Sequence, residues 1–172
     1  MKDSEVGRVK NRAAYFGIFT ALALIFSYVE TLIPIRFGTP GIKLGLANLV
    51  TVIVLFRTGW KDALLLSVTR IILAGFMFGS LFSIVYSLAG GILSLAVMAL
   101  LERTGKFSTA GVSMAGGVSH NIGQLVVAMA AVKTYQVGYY LPVLLAAGLI
   151  TGALIGAVAG EVLKRIRNIE RI

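Results

Sequence analysis

Six consecutive residues, Ser119-His120-Asn121-Ile122-Gly123-Gln124, set an imidazole, two side-chain amides and a hydroxyl inside a stretch that is otherwise apolar from Ala110 to Val132. A second apolar span, Ala63 to Phe78, carries Arg70 near its centre. Unpaired charge and unsatisfied polar groups cost several kcal/mol in hydrocarbon, so a chain that keeps them there has a use for them. Helical spacing lines up Gly116, His120 and Gln124 on one stripe and Gly117, Asn121 and Gln124 on the next. Glycine beside amide and imidazole groups leaves a recess with polar walls. Glu30, with Ser27 one turn below it, lies near the outer end of the first apolar segment, and Lys43 and Asn48 lie in the outer half of the second. Brought together, Glu30, Lys43, Asn48, Arg70, His120, Asn121 and Gln124 make a candidate substrate-binding cavity that opens outward. The set is rich in donors and holds one acid, Glu30, which suits a ligand with carboxylate, carbonyl or phosphate oxygens. Plainer readings stay open beside it. Arg70 can pair with Glu30 as a structural ion pair, His120 and Asn121 can bond across helices as packing contacts, and Lys43 can extend to the headgroups.

Other chemistries lack their residues. One histidine and no cysteine leave no multi-histidine or thiolate metal site and no disulfide scaffold. There is no Walker A sequence, so ATP is not bound by that route. The only aspartates, Asp3 and Asp62, fall on the cytoplasmic side of the expected topology. They do not form the aspartate-rich cluster with which a prenyl-diphosphate enzyme holds magnesium. A proton path would line up several acids and histidines across the membrane, and this chain offers one candidate at each depth. The reading is of a non-enzymatic binding or transport subunit with no covalently bound cofactor.

The elements that must position these groups are membrane helices. The 172 residues are 58% hydrophobic, with a mean hydropathy of +0.91. They divide into six apolar stretches near the ~20 residues that a bilayer span requires. The expected fold is an all-α membrane protein of six transmembrane helices, a single integral membrane domain over residues 1–172 preceded by a basic cytoplasmic tail over 1–11. The first apolar run is too long for a signal peptide and lacks an Ala-x-Ala end, so it reads as a true span. Helix 1 is expected from about Arg12 to Ile33, stopped by Pro34, and helix 2, about Ile42 to Phe56, is short for a full span. Helix 3 starts near the interfacial anchor Trp60, and Gly79-Ser80 makes a tight turn into helix 4. Helix 5 covers about Ala110 to Val132. Helix 6 runs from about Tyr139 to Arg167, with Pro142 in its first turn.

The net charge of +9 invites a nucleic-acid partner, but its distribution argues against one. Lys2, Arg8, Lys10 and Arg12, then Arg57 and Lys61, Arg103 and Lys106, and Lys164, Arg165, Arg167 and Arg171 all fall on one side, leaving Arg36, Lys43 and Lys133 on the other. This is the positive-inside bias, with both termini cytoplasmic in a bacterial cytoplasmic membrane, and the basic rims meet anionic lipid headgroups. Small residues mark packing faces. Gly148, Gly152, Gly156 and Gly160 repeat along helix 6, where internal packing is the favoured reading, and Ala13, Gly17 and Ala21 repeat along helix 1, where a docked partner subunit is an equal alternative.

Lys43-Leu44-Gly45-Leu46-Ala47-Asn48, Gly59-Trp60-Lys61-Asp62-Ala63, Arg70, Ser87-Leu88-Ala89-Gly90-Gly91 and His120-Asn121-Ile122-Gly123-Gln124 together resemble a bacterial membrane family labelled Gx transporter family or heptaprenyl diphosphate synthase component I. The resemblance covers nearly the whole chain after the basic tail. That family is in turn similar in architecture to the S components of energy-coupling-factor (ECF) transporters. These are six-helix proteins that capture vitamins on the outer side and work with a coupling protein and two ATPases. In that group a small-residue motif on helix 1 contacts the coupling protein, and Ala13, Gly17 and Ala21 are the matching positions. The resemblance also implies a link to quinone biosynthesis and flavin-based extracytosolic electron transfer, hence a flavin, quinone precursor or isoprenoid as ligand. Three functions remain: a substrate-capture subunit for import, a membrane subunit that anchors a redox partner, and an enzyme of prenyl metabolism.

Overall fold

The computed structural model describes the backbone of residues 2–32 and 45–169, and the side chains of 13–32 and 45–168. These residues form six α-helices and no strand: α1 (Lys2–Leu32), α2 (Leu46–Thr58), α3 (Trp60–Phe78), α4 (Leu81–Arg103), α5 (Thr109–Val132) and α6 (Leu141–Ile169), with a short 3-10 turn, Tyr135–Tyr140, ahead of α6. Four of them, α1 from Ala13, α4, α5 and α6, are long and apolar enough to cross a membrane. The other two depart from the simple picture of six equal spans. α2 has 13 residues, a rise of only about 20 Å against a hydrocarbon core of about 30 Å. α3 has 19 residues, but Lys61, Asp62 and Arg70 interrupt its apolar character.

Local chemistry sets most of the boundaries. Gly59, at φ 98°, turns the chain from α2 into α3 in one residue, and its N–H still bonds back to the carbonyls of Val54 and Leu55. Ser80 and Ser83 cap α4 reciprocally: each hydroxyl accepts the other's backbone N–H, at 3.2 and 3.0 Å. Ser108 accepts from the Gly111 N–H at 3.2 Å and opens α5. Two expected boundaries move. α1 starts ahead of the expected Arg12, because the basic segment before the first span is helical from Lys2. It contains no proline, and extending an existing helix needs no new nucleus. α6 begins at Leu141 rather than Tyr139, since Tyr139 and Tyr140 belong to the 3-10 turn.

α2, α3, α4, α5 and α6 each pack on the next, and α6 returns to α2, which closes a ring. α1 packs outside the ring against α2 and α3 and is largely exposed, with Tyr15 and Ile18 each 65% accessible. α2 is buried all round from Val50 to Leu55, as suits a helix apolar on every face. It joins Ala23, Leu66, Leu95, Met98, Val112 and Ile155 in the core. The tightest packing lies along α5. A Cβ placed on Gly148 would fall 2.7 Å from the Gly117 carbonyl oxygen, one on Gly152 2.6 Å from Met114 Cα, and one on Gly156 2.5 Å from Ala110 Cα. These contacts are backbone against backbone and admit only glycine. The internal-packing reading of the helix 6 stripe therefore holds for Gly148, Gly152 and Gly156, whereas Gly160 lies at ordinary contact distance from the Thr109 side chain. At the basic end of the bundle the Arg103 guanidinium lies 5.5 Å from the Trp60 ring centroid and pins the end of α4 to the start of α3.

Candidate functional site

The ring, together with the end of α1, surrounds an open cavity of about 180 Å³, many times the ~10–15 Å³ that one water occupies. It runs from Thr31, Phe78, Gly79 and Ser83, near the turn between α3 and α4, to Met98, Ser113 and Ile155. Glu30, Asn48, Arg70, His120, Asn121 and Gln124 all line it. Of the expected site residues, only Lys43 lies outside the described residues.

Each side chain is held in its own way. Arg70, at mid-length on α3, donates from Nη2 to Asn48 Oδ1 at 3.2 Å, while its buried Nε has no hydrogen-bond partner among the described residues. Glu30 makes no contact ion pair with Arg70 among the described residues, and its charge acts on the guanidinium only through space. Its Oε1 instead accepts the backbone N–H groups of Gly45 and Leu46 (3.0 Å to Leu46) at the start of α2. The reason is local: the first N–H groups of a helix lack intrahelical acceptors and attract a carboxylate. Gly45, at φ 75°, is shaped for this entry, and a Cβ there would also fall 2.9 Å from Ile155 Cδ1. Asn121 donates from Nδ2 to the Leu144 carbonyl at 2.6 Å and so ties α5 to α6, a packing contact made by a cavity-lining residue. His120 and Gln124 face α4 across Gly90, where a Cβ would sit 2.8 Å from Gln124 Cγ and 3.1 Å from His120 Cε1. Glycine at 90 thus makes the room these two side chains occupy.

Spacing-based reasoning missed the hydroxyls. Ser83, Ser87 and Ser94 of α4, Ser113 of α5 and Thr151 of α6 also line the cavity. Thr151 is turned back onto the Ala147 carbonyl at 2.8 Å and Ser83 onto that of Ser80 at 2.8 Å. No hydrogen bond among the described residues involves the side chains of Ser87, Ser94, Ser113 or Gln124. The signal was present in the sequence, since 83, 87 and 94 fall on one helical face. The candidate docking residues lie elsewhere: Ala13, Gly17 and Ala21 are exposed on α1, and a Cβ on Gly17 would meet nothing within 4 Å.

A family model described as heptaprenyl diphosphate synthase component I matches residues 19–162. The chain belongs to that family. The matched stretch contains every described residue that lines the cavity and begins after Ala13 and Gly17. No curated protein and no solved structure matches the chain. The name of that family describes one part of a multi-component synthase. Among the described residues no cluster of His, Cys, Asp and Glu is placed to hold a metal. The lining sets hydroxyls and the side-chain amides of Asn48, Asn121 and Gln124 around a space, with the Arg70 guanidinium among them.

Proposed function

We propose that this chain is a membrane-embedded capture subunit, which holds a small ligand in the ring cavity and passes it to partner proteins without converting it. The observation that carries this reading is the cavity with its polar groups left over. Ser87, Ser94, Ser113 and Gln124 line it without protein partners among the described residues, and such groups are costly in a membrane protein unless something else satisfies them. A flavin, a quinone precursor or an isoprenoid fits the ligand class. The charge bias supports a bacterial cytoplasmic membrane with both termini inside, which puts the mouth near Glu30 and Phe78 on the outer side. Having no Walker A sequence, the chain would need energising subunits for uptake, as S components of ECF transporters do, with the exposed Ala13, Gly17 and Ala21 as their docking face. The family name favours a second reading: a membrane partner of a second, catalytic component that makes a prenyl diphosphate. Both readings make the cavity a binding site and the chain a non-catalytic subunit.

Mass spectrometry of protein purified from its own membrane tests the proposal. The expected result is one small molecule in near-stoichiometric amount, lost from Ser87→Leu while that variant keeps its size-exclusion profile. Equal retention by Ser87→Leu, or no small molecule with the wild-type protein, would overturn it. Co-purification of a soluble synthase instead of ATPases would decide for the second reading.

A further inference from the structure

We infer that the polar part of this cavity is an oxyanion site, in which Arg70 grips a phosphate or carboxylate group of the ligand; the inference rests on the capture reading and names its ligand class. A guanidinium carries five N–H donors in a planar fork. The described partners of Arg70 use one edge of that fork, through the bond from Nη2 to Asn48 Oδ1. Asn48 is neutral, so this contact orients the guanidinium without compensating its charge. The acid in the cavity wall, Glu30, has Oε1 committed to two backbone N–H groups of α2. The buried Nε of Arg70 is left without a hydrogen-bond partner among the described residues.

A cation held among helices with no carboxylate in contact is costly, and an oxyanion answers both deficits. One oxygen meets Nε while another meets the second N–H of Nη2, whose other N–H serves Asn48; this is the side-on bidentate geometry for which arginine, and not lysine, is shaped. Gln124 and Ser87, which line the same cavity, have amide and hydroxyl protons for the remaining oxygens. Glu30 belongs to the frame of this site and not to its ligand set: its carboxylate is turned onto backbone amides and acts on Arg70 only through space, which leaves the contact positions of the guanidinium to an anion from outside.

The test uses the purified full-length chain in detergent. Inorganic phosphate, inorganic diphosphate and acetate are titrated at ionic strength held constant with chloride, followed by the Nε–Hε resonance of Arg70 and by calorimetry. A saturable movement of the Arg70 resonance with at least one anion, at concentrations that leave Arg103 and Arg165 unmoved, is the expected result. The order of the three anions then separates a phosphate-type from a carboxylate-type head. Arg70→Lys should weaken that binding by about ten- to a hundredfold although the charge is kept. Gln124→Leu should weaken it less, and it keeps the question open to measurement if Arg70→Lys fails to fold. An Arg70 resonance indifferent to all three anions, or wild-type affinity in Arg70→Lys, would overturn the assignment. A neutral co-purifying ligand that leaves the Arg70 resonance where it is would sink the oxyanion site and spare the capture reading. A saturable anion response in a protein that carries no ligand from its membrane would do the reverse.

Discussion

Gly148, Gly152 and Gly156 on α6 and Ala13, Gly17 and Ala21 on α1 repeat small residues at the same four-residue interval, yet only the first set is covered. The α6 stripe touches the backbone of α5 at Gly117, Met114 and Ala110 in register, whereas the α1 stripe is exposed and, among the described residues, nothing would lie within 4 Å of a Cβ on Gly17. The difference lies in the partner. α5 has Gly117 and Ala110 where α6 needs a gap, so two backbones approach and many small dispersion contacts add up. α1 meets α2 and α3 on its other face, through Ala23, Ser27 and Glu30, which leaves its smooth side outward. A small-residue repeat therefore records that close approach is sterically allowed; whether it happens depends on a second surface shaped to match.

Substitutions on the two helices should separate accordingly. The largest effect is expected for Gly148→Val, whose branched side chain would meet the Gly117 carbonyl. A loss of about 3 kcal/mol or more, or failure to fold, should show in thermal or denaturant unfolding in detergent. Wild-type stability would mean that α5 and α6 are not packed backbone to backbone. Next comes Glu30→Ala, which strips the acceptor from two N–H groups at the start of α2 and should cost about 1–3 kcal/mol. Glu30→Gln keeps the acceptor and loses only the charge near a helix N-terminus, about 0.3–1 kcal/mol. Equal losses in the two variants would show that charge, and not hydrogen bonding, fastens α1 to the ring. The smallest effect, and the one of opposite sign, is expected for Gly17→Ala. With open space around it, the added methyl should stabilise α1 by up to about 1 kcal/mol. Gly17→Leu should likewise leave the isolated protein folded, and any loss it causes should appear only in co-purification of partner subunits. Unfolding of Gly17→Leu would place the α1 stripe in the same class as that of α6.

Much of the site could be read in the sequence because its residues announce themselves: a histidine, an arginine and two side-chain amides inside apolar runs stand out against the cost of burying them. The serines of α4 did not stand out, since a hydroxyl in a helix can bond its own backbone, as Ser119 does to the Ala115 carbonyl at 2.7 Å. Only the positions of Ser87 and Ser94 relative to the ring show that they turn toward open space. The same applies to Asn121, whose amide could have served a ligand as well as it serves the Leu144 carbonyl.

The sequence by itself determined the helical class, the number of helices and most of their ends. Apolar run length, Gly59, the Ser80 and Ser108 caps and the proline at 142 act over a few residues and need no neighbour from elsewhere. Only the tertiary structure decided that α2 is an interior helix, that one small-residue stripe is covered and the other bare, and that Arg70 turns to Asn48 while Glu30 turns to the start of α2. Those choices join residues 22 and 15 positions apart. They depend on which helix faces lie within reach of a hydrogen bond, a quantity that appears only once the ring has closed.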